Sequence, residues 1–336
     1  MFGLIWPMDE KFVSSPVTII TYHFVRDLGH SRYPEIKGLT VEQFREQIAY
    51  IKKHYSVISI AELSAAAAGD ADLPPRPLLL TFDDGYLDHF TNVFPILKLN
   101  GLTGCFFPPA GAITEYRVLD VNKIHFVLAS VGDKSKIVRT IFALLDEFRE
   151  RYELMENRSY YERLAVPNRF DTAEVIFIKR LLQRELPEDL RRTIVDRLFH
   201  HFVVTDEASF SQELYMTTDQ LSCMREYGMD IGSHGYEHLW LDTLDQDGQV
   251  REIDLSLSFL ERLGCTRDAW VMSYPYGAYN DGLLSLLRKK GCILGFTTRV
   301  GLADLTAEDP LTLSRLDAND LPKEGAAAPN EWTLRV

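Results

Sequence analysis

The first third of the chain alternates short apolar runs with segments of helical period. Four runs rich in β-branched or aromatic residues predict buried strands, at residues 17–22, 57–60, 78–82 and 104–107. Helical spacing and helix end signals mark three segments between them, at residues 40–54, 61–68 and 88–100. Strands and helices that alternate through brief connections predict a parallel sheet.

The pattern changes near residue 121. From there to residue 215 the chain is highly charged, and its apolar residues recur at helical spacing, as in the series Ile137, Ile141, Leu144, Leu145 and Phe148. This stretch has no glycine-rich loop and no group of ligand-type residues. We therefore interpret residues 121–215 as a helical insertion and not as a second enzymatic domain.

Strand-like runs return after the helical stretch, at residues 229–233, 269–272 and 293–297, with helices predicted at 249–263 and 282–290. These runs predict that residues 216–322 complete the α/β domain begun by residues 1–120. Residues 323–336 include Ala-Ala-Ala-Pro and predict a loose tail.

The net charge and the cysteines indicate which partners and which compartment are expected for this chain. The 336 residues carry a formal net charge of −13, which disfavours binding to nucleic acid or to an anionic membrane surface. The four cysteines (Cys105, Cys223, Cys265, Cys292) form no CxxC pair and predict buried free thiols in a reducing compartment. No apolar run is long enough to span a bilayer and no signal peptide is evident, so we expect a cytoplasmic protein.

Two adjacent carboxylates, Asp83 and Asp84, follow the apolar run at 78–82 and precede Gly85. Strand ends form the active-site rim of a parallel barrel, and glycine frees the backbone so that consecutive side chains can diverge. One carboxylate can then bind a metal while the other acts as a general base. The alternative is an ordinary Asp-Asp-Gly turn.

Two histidines four residues apart, His234 and His238, follow another predicted strand. On one face of a helical turn they could chelate a cation, and the alternative is two unrelated histidines. Two imidazoles and one carboxylate make a catalytic metal site with three protein ligands and open positions. A third motif, Tyr-Pro-Tyr-Gly at 274–277, predicts either an aromatic turn or a pocket rim that packs against a sugar ring.

These motifs, in this order and at these strand ends, resemble those of the polysaccharide deacetylase (NodB-homology, carbohydrate esterase 4) family. The resemblance implies an α/β fold, a distorted (β/α)7-type barrel carrying the large helical insertion. It implies that Asp83 is the catalytic base and that Asp84, His234 and His238 bind a divalent metal, for which we expect Zn²⁺. It also implies substrate binding at Pro275 and Tyr276, where backbone helps to hold the oxyanion.

Two departures from the family pattern concern catalysis. Ser273 stands where many members carry an arginine that tethers the base, and the late motif at 313–316, Leu-Ser-Arg-Leu, lacks the histidine that serves as general acid. His23, at the end of the first predicted strand, is our candidate for the acid. The alternative for His23 is a hydrogen-bonded core histidine.

We therefore expect a metal-dependent hydrolase that deacetylates an N-acetylated sugar, in the form of a nucleotide- or lipid-linked precursor of a surface polysaccharide. One alternative is a deformylase or O-deacetylase on the same scaffold, and another is an inactive glycan-binding homologue. The expected partner is a carbohydrate. The sequence does not distinguish three roles for the insertion: it could shape the substrate groove, cover the site or mediate a homo-oligomer.

Overall fold

The computed structural model describes residues 16–167 and 171–336. Its centre is a set of parallel strands: β1 (Thr18–Tyr22), β2 (Ser56–Val57), β3 (Pro77–Asp83), β4 (Cys105–Phe107), β5 (Asp230–Ile231), β6 (Trp270–Ser273), β7 (Cys292–Val300) and β8 (Leu313–Asp317). Seven of them follow the order β5-β4-β3-β1-β8-β7-β6, and β2 pairs with β3 beside this path. A parallel bridge between Ser233 and Met272 joins the two ends of the order. The nearly closed seven-strand barrel confirms the predicted fold class.

Alternate residues of each strand lie inside and outside the barrel, as the two-residue period of a strand requires. Leu79, Phe107 and Phe296 belong to one buried cluster, whereas Leu80 and Phe106 belong to the other cluster, which also includes helix residues. At the carboxyl ends of the strands the inner positions become polar. These polar positions hold Thr21 on β1, Asp83 on β3, Ser273 on β6 and Arg315 on β8.

The helices that accompany the barrel strands are α1 (Val41–His54), α2 (Ile60–Ala68), α3 (Phe94–Leu99), α4 (Ala110–Thr114), α11 (Thr218–Glu226), α12 (Gln246–Arg262) and α13 (Asp281–Lys289). Helix α1 begins where Thr40 and Gln43 form a reciprocal capping box. The helix predicted at 88–100 starts as a π-helical turn, His89–Val93, before α3. Among the described residues, none of the helices combines the length and the apolar character that crossing a membrane requires.

Between α4 and α11 the chain forms α5 (Asp120–Ser130), α6 (Lys134–Tyr152), α7 (Asn157–Leu164), α8 (Ala173–Arg180), α9 (Glu188–Phe202) and α10 (Glu207–Leu214). We call residues 121–215 the helical segment. It is attached to the barrel next to the predicted catalytic carboxylates, because the Met216 N–H donates to the Gly85 carbonyl (3.0 Å) and Tyr215 forms a bridge with Tyr86. The domain boundaries at 121 and 215 stay predictions.

Two expectations about local structure can be compared with the fold. All four cysteines are free, as predicted, but only Cys105 and Cys292 are buried, whereas Cys223 and Cys265 are partly exposed. The loose tail is wrong, because residues 323–336 end in helix α14 (Glu331–Leu334), which Asn330 caps through the Thr333 N–H. Thr333 is fully buried, and its hydroxyl accepts a hydrogen bond from Tyr55 at 2.9 Å.

Candidate metal centre and active site

The backbone turns sharply where β3 ends, and this separates the two adjacent carboxylates. Asp83 is the last residue of β3, whereas Asp84 and Gly85 both have left-handed backbones, with φ of 70° and 65°. Only glycine fits at 85, because a Cβ there would lie 2.9 Å from the Cβ of Pro108. Asp83 therefore stays on the inner face of the barrel, and Asp84 turns towards the loop that carries the histidines.

The two histidines lie on an irregular loop, so the predicted helical turn is wrong. Residues 234–240 contain no helix, and Gly235 and His238 have φ of 73° and 57°. The Glu252 carboxylate on α12 accepts the N–H groups of Tyr236 and Glu237, both at 3.0 Å, and so fixes this loop. The imidazole rings of His234 and His238 consequently come together, with ring centroids 4.8 Å apart.

Asp84, His234 and His238 converge on one point, as predicted. Oδ1 of Asp84 lies 3.4 Å from Nε2 of His234 and 3.5 Å from Nε2 of His238. The three side chains are buried, and one donor atom from each lies within 4.8 Å of the others. Donors around a tetrahedral zinc ion lie roughly 3.4 Å apart, so the spacing fits a cation held by all three.

The protonation of the cluster also fits a cation. His234 donates its Nδ1–H to the Ser273 carbonyl at 2.7 Å, which turns Nε2 towards Asp84. Burial alone would lower the pKa of His234, but its hydrogen bond to Asp84 raises that pKa above its usual value, so Nε2 shares a proton with Oδ1 of Asp84 in the metal-free cluster, and a cation would take the place of that proton. Burial and the neighbouring His234 lower the pKa of His238 to about 3, so His238 is neutral and able to bind metal.

Asp83 takes no part in that cluster and is held by a separate set of partners. Arg315 donates from both terminal nitrogens to its two oxygens, at 3.1 and 2.8 Å. The hydroxyls of Thr21 and Ser273 donate to the same carboxylate at 3.2 and 3.1 Å. Burial alone would raise the pKa of Asp83, but the charges of Arg315 and His234 hold that pKa well below its usual range. Asp83 is therefore an ionised, oriented carboxylate.

The motif at 274–277 forms an aromatic wall beside the cluster. Tyr276 has a left-handed backbone (φ 58°), and its ring stacks on Trp240 with centroids 4.3 Å apart. It also meets the His238 ring in a T-shaped arrangement with centroids 4.7 Å apart. Pro275 is buried and begins the turn. The guanidinium of Arg184, from the helical segment, lies over the Trp240 ring at 4.3 Å from its centroid. Trp240 was not predicted, although its position two residues after His238 is a signal for it.

A groove runs from this wall to the helical segment. Its lining includes His238, Trp240 and Tyr276 from the barrel and Leu182, Arg191 and Arg192 from the helical segment. Arg192 pairs with Glu237 at 2.9 Å. The Arg191 guanidinium donates to the Gln183 carbonyl at 2.5 Å and forms no ion pair with any carboxylate of the described residues.

His23 follows β1 at the mouth of the barrel and is exposed. It is therefore not a core histidine, and that alternative is wrong. The fully buried histidine is His89, whose Nε2 donates to the His23 carbonyl at 2.9 Å. A positive charge on His23 would lower the pKa of Asp83 and of Asp84, so its imidazole lies within electrostatic range of both carboxylates. Its role in catalysis stays a prediction.

Comparison with known proteins decides the family. The family model described as polysaccharide deacetylase matches residues 198–294, which include both histidines and Tyr276. YxkH of Bacillus subtilis (strain 168), which is named for the same family, is 30% identical over 299 residues, or 89% of this chain and 69% of that protein. The chain belongs to the polysaccharide deacetylase family.

Other known proteins share a shorter match or only the fold. The poly-β-1,6-N-acetyl-D-glucosamine N-deacetylase of Escherichia coli (strain K12) is 37% identical over 95 residues, which are 28% of this chain and 13% of that protein. The Streptococcus pyogenes deacetylase PplD in complex with acetate superposes with a TM-score of 0.54 at 17% identity, over 91% of this chain and 92% of PplD. IcaB from Ammonifex degensii gives the same coverage and TM-score at 18% identity. The solved structures show the shared fold.

This member of the polysaccharide deacetylase family tethers its inner carboxylate from strand β8. Arg315 occupies the late motif that lacks a histidine, and it contacts Asp83 in the manner implied for the arginine that Ser273 replaces. The motifs of the sequence do not predict this contact. A signal was available, because an arginine between Leu313 and Leu316 in an apolar strand needs a buried carboxylate partner.

Proposed function

We propose that this protein is a metal-dependent hydrolase that removes the acetyl group from an N-acetylated sugar. The observation that carries the proposal is that two adjacent carboxylates have separate sets of partners. Asp84 joins two imidazoles in a cluster with the spacing of metal ligands, and Asp83 is held apart by Arg315. A protein that only binds glycans has no need of a second oriented carboxylate that lies beside the metal site without being a ligand.

We propose that Asp84, His234 and His238 hold the cation, for which zinc is expected from the donor set. A zinc ion held by these three residues would polarise an acyl carbonyl and would lower the pKa of a bound water to about 7. Asp83, which is ionised, accepts the proton of the attacking water. The backbone N–H near Tyr276 donates to the oxyanion, and the exposed imidazole of His23 protonates the leaving nitrogen.

For the substrate, we propose a nucleotide- or lipid-linked sugar in the assembly of a surface polysaccharide. Support comes from Arg191, which lines the groove without a carboxylate partner in the described residues and whose charge acts on Tyr276. A guanidinium in that position suits a phosphate of the linked group. The free cysteines support a reducing, cytoplasmic compartment for this substrate.

A second candidate substrate is an N-acetylglucosamine polymer. It is favoured by the 37% identity to the Escherichia coli deacetylase that is named for poly-β-1,6-N-acetyl-D-glucosamine. A deformylase or O-deacetylase would use the same base and the same ligands. The inactive glycan-binding alternative draws support from two missing residues, the arginine that Ser273 replaces and the histidine of the late motif. The contact of Arg315 with Asp83 removes the first of these supports.

The test is acetate release by the purified, zinc-loaded protein from UDP-N-acetylglucosamine, from a lipid-linked N-acetyl sugar and from β-1,6-linked N-acetylglucosamine oligomers. Matched N-formyl and O-acetyl sugars are assayed beside them. We expect the highest kcat/KM for a phosphate-linked N-acetyl sugar. Activity on the oligomers alone would replace the precursor by the polymer, and inactivity on all acyl sugars would contradict the proposed hydrolase.

A further inference from the structure

A chain of buried hydrogen bonds leads from Asp84 away from the metal cluster and into the helical segment. The second oxygen of Asp84, Oδ2, accepts from the Tyr86 hydroxyl at 2.5 Å. The Tyr86 oxygen accepts from the side-chain amide of Asn122 on α5 at 2.7 Å. The Asn122 carbonyl accepts from the Tyr215 hydroxyl at 2.5 Å, and the Tyr215 oxygen accepts from the Leu119 N–H at 3.0 Å.

The direction of every proton in this chain is fixed. The Leu119 N–H can only donate, so the single hydroxyl proton of Tyr215 goes to the carbonyl oxygen of Asn122. The Asn122 nitrogen then donates to Tyr86, and the Tyr86 proton goes to Asp84. The series thus starts at the backbone N–H of the residue that precedes helix α5 and ends on a carboxylate. Hydrogen bonds that all point the same way polarise and strengthen one another.

The members of this chain have little freedom to rearrange. Tyr86, Asn122 and Tyr215 are each at most 2% exposed. The Tyr86 ring stacks on Phe24 with centroids 3.9 Å apart and on Tyr215 at 6.1 Å. The hydroxyls of Tyr86 and Tyr215 therefore have fixed positions. A shift of the helical segment would change the hydrogen bond that Asp84 accepts.

We propose that Tyr86 and Asn122 are positioning residues of the metal centre, so that the helical segment is a structural part of that centre. The inference rests on the proposed metal site. Because Tyr86 occupies Oδ2, Asp84 presents only Oδ1 to His234 and His238, and its carboxylate cannot rotate to another binding mode. Outer partners of metal ligands typically set metal affinity by about 10- to 100-fold.

The test measures the zinc dissociation constant of the full chain by competition with a chromophoric chelator. The variants are Tyr86→Phe, at the near end, and Tyr215→Phe, at the far end. Tyr50→Phe is the matched control, because Tyr50 is fully buried and its hydroxyl lies 2.7 Å from the Thr333 hydroxyl, outside this chain of hydrogen bonds. Thermal unfolding of the metal-free forms shows that each variant is folded.

We expect Tyr86→Phe to weaken zinc binding about 10- to 100-fold, Tyr215→Phe to weaken it less, and Tyr50→Phe to leave it unchanged. Equal affinity in Tyr86→Phe and wild type would overturn the inference, as would an equal loss in Tyr50→Phe. Asp84→Ala separates the two claims: if it binds zinc like wild type, the metal site itself is wrong. Tight binding that depends on Tyr86, in a protein without deacetylase activity, would keep the inference and remove the proposed function.

Discussion

Arg315 on β8 and Asp83 on β3 form a buried, bidentate ion pair inside the barrel, with β1 between their two strands. Both side chains are at most 3% exposed, so neither charge is compensated by water. A pair of this kind is costly to break on one side, by about 3–5 kcal/mol, because the remaining charge stays buried. The pair therefore determines both the charge and the direction of the proposed base.

Replacing Arg315 with methionine should raise the pKa of Asp83. Burial favours the protonated carboxyl, and the guanidinium is the first of the charges that outweigh burial in the native chain. We expect the acidic limb of the pH profile of kcat/KM to move to higher pH and the activity at neutral pH to fall. The control is Arg299→Met, because Arg299 pairs with Glu308 near the surface. Coincident acidic limbs in Arg315→Met and wild type would contradict the tether.

The same pair should make stability depend on pH. The folded pKa of Asp83 lies below its value in the unfolded chain, so the pair stabilises the fold above about pH 4, and this contribution is lost as the pH falls towards the folded pKa. Urea unfolding between pH 7 and pH 3 measures it. We expect a smaller loss in Arg315→Met than in wild type, and an identical slope in both would argue against the assignment.

Substitution of the two adjacent carboxylates should have different consequences. Asp83→Asn should lower kcat by about 10²- to 10⁴-fold and keep the metal, because Asp83 is not among the ligands. Asp84→Asn should lose the metal together with the activity. Elemental analysis of both purified variants, beside their rates of acetate release, distinguishes the roles. Loss of metal in Asp83→Asn would move Asp83 into the ligand set.

His23 should matter most when the leaving group is basic. An amine needs a proton in order to leave, whereas a nitrophenolate does not. We therefore expect His23→Gln to lower amide hydrolysis by about 100-fold and to change hydrolysis of 4-nitrophenyl acetate little. His30→Gln is the control, because His30 is exposed and pairs with Asp27 at the surface. Equal losses on amide and ester would show that His23 is not the acid.

Arg191→Met should discriminate between charged and neutral substrates. Loss of the guanidinium from the proposed phosphate subsite should raise KM for UDP-N-acetylglucosamine by about tenfold or more and leave KM for the neutral N,N′-diacetylchitobiose unchanged. Arg197→Met, on the same helix but paired with Glu147, is the matched control. Equal KM changes for the two substrates would contradict a phosphate subsite.

The sequence predicts those features that depend on local residue pattern alone. The apolar runs predict the strands of the first half, and the end of the third apolar run marks the position of Asp83 and Asp84. The spacing of His234 and His238 predicts a shared site, but the two imidazoles converge through an irregular loop and not through a helical turn. Their loop depends on Gly235 and on Glu252, which comes 14 residues after His238 and acts through backbone N–H groups.

The sequence does not predict side-chain contacts between residues that are far apart in the chain and meet only in the folded barrel. Arg315 reaches Asp83 because β8 and β3 both flank β1, and this neighbourhood cannot be inferred from 232 residues of separation. The same holds for Asn122, which contacts Tyr86 only after the helical segment has folded against the barrel. The C-terminal residues were assigned to a tail from composition, although the buried Thr333 holds them in place.

The most direct test of the proposed metal centre is anomalous diffraction at the zinc edge from crystals grown with zinc. We predict one strong peak at about 2.0–2.2 Å from Oδ1 of Asp84 and Nε2 of both His234 and His238, with Asp83 outside the ligand set and still bound to Arg315. A peak at other residues, or one in which Asp83 is a ligand, would contradict the account.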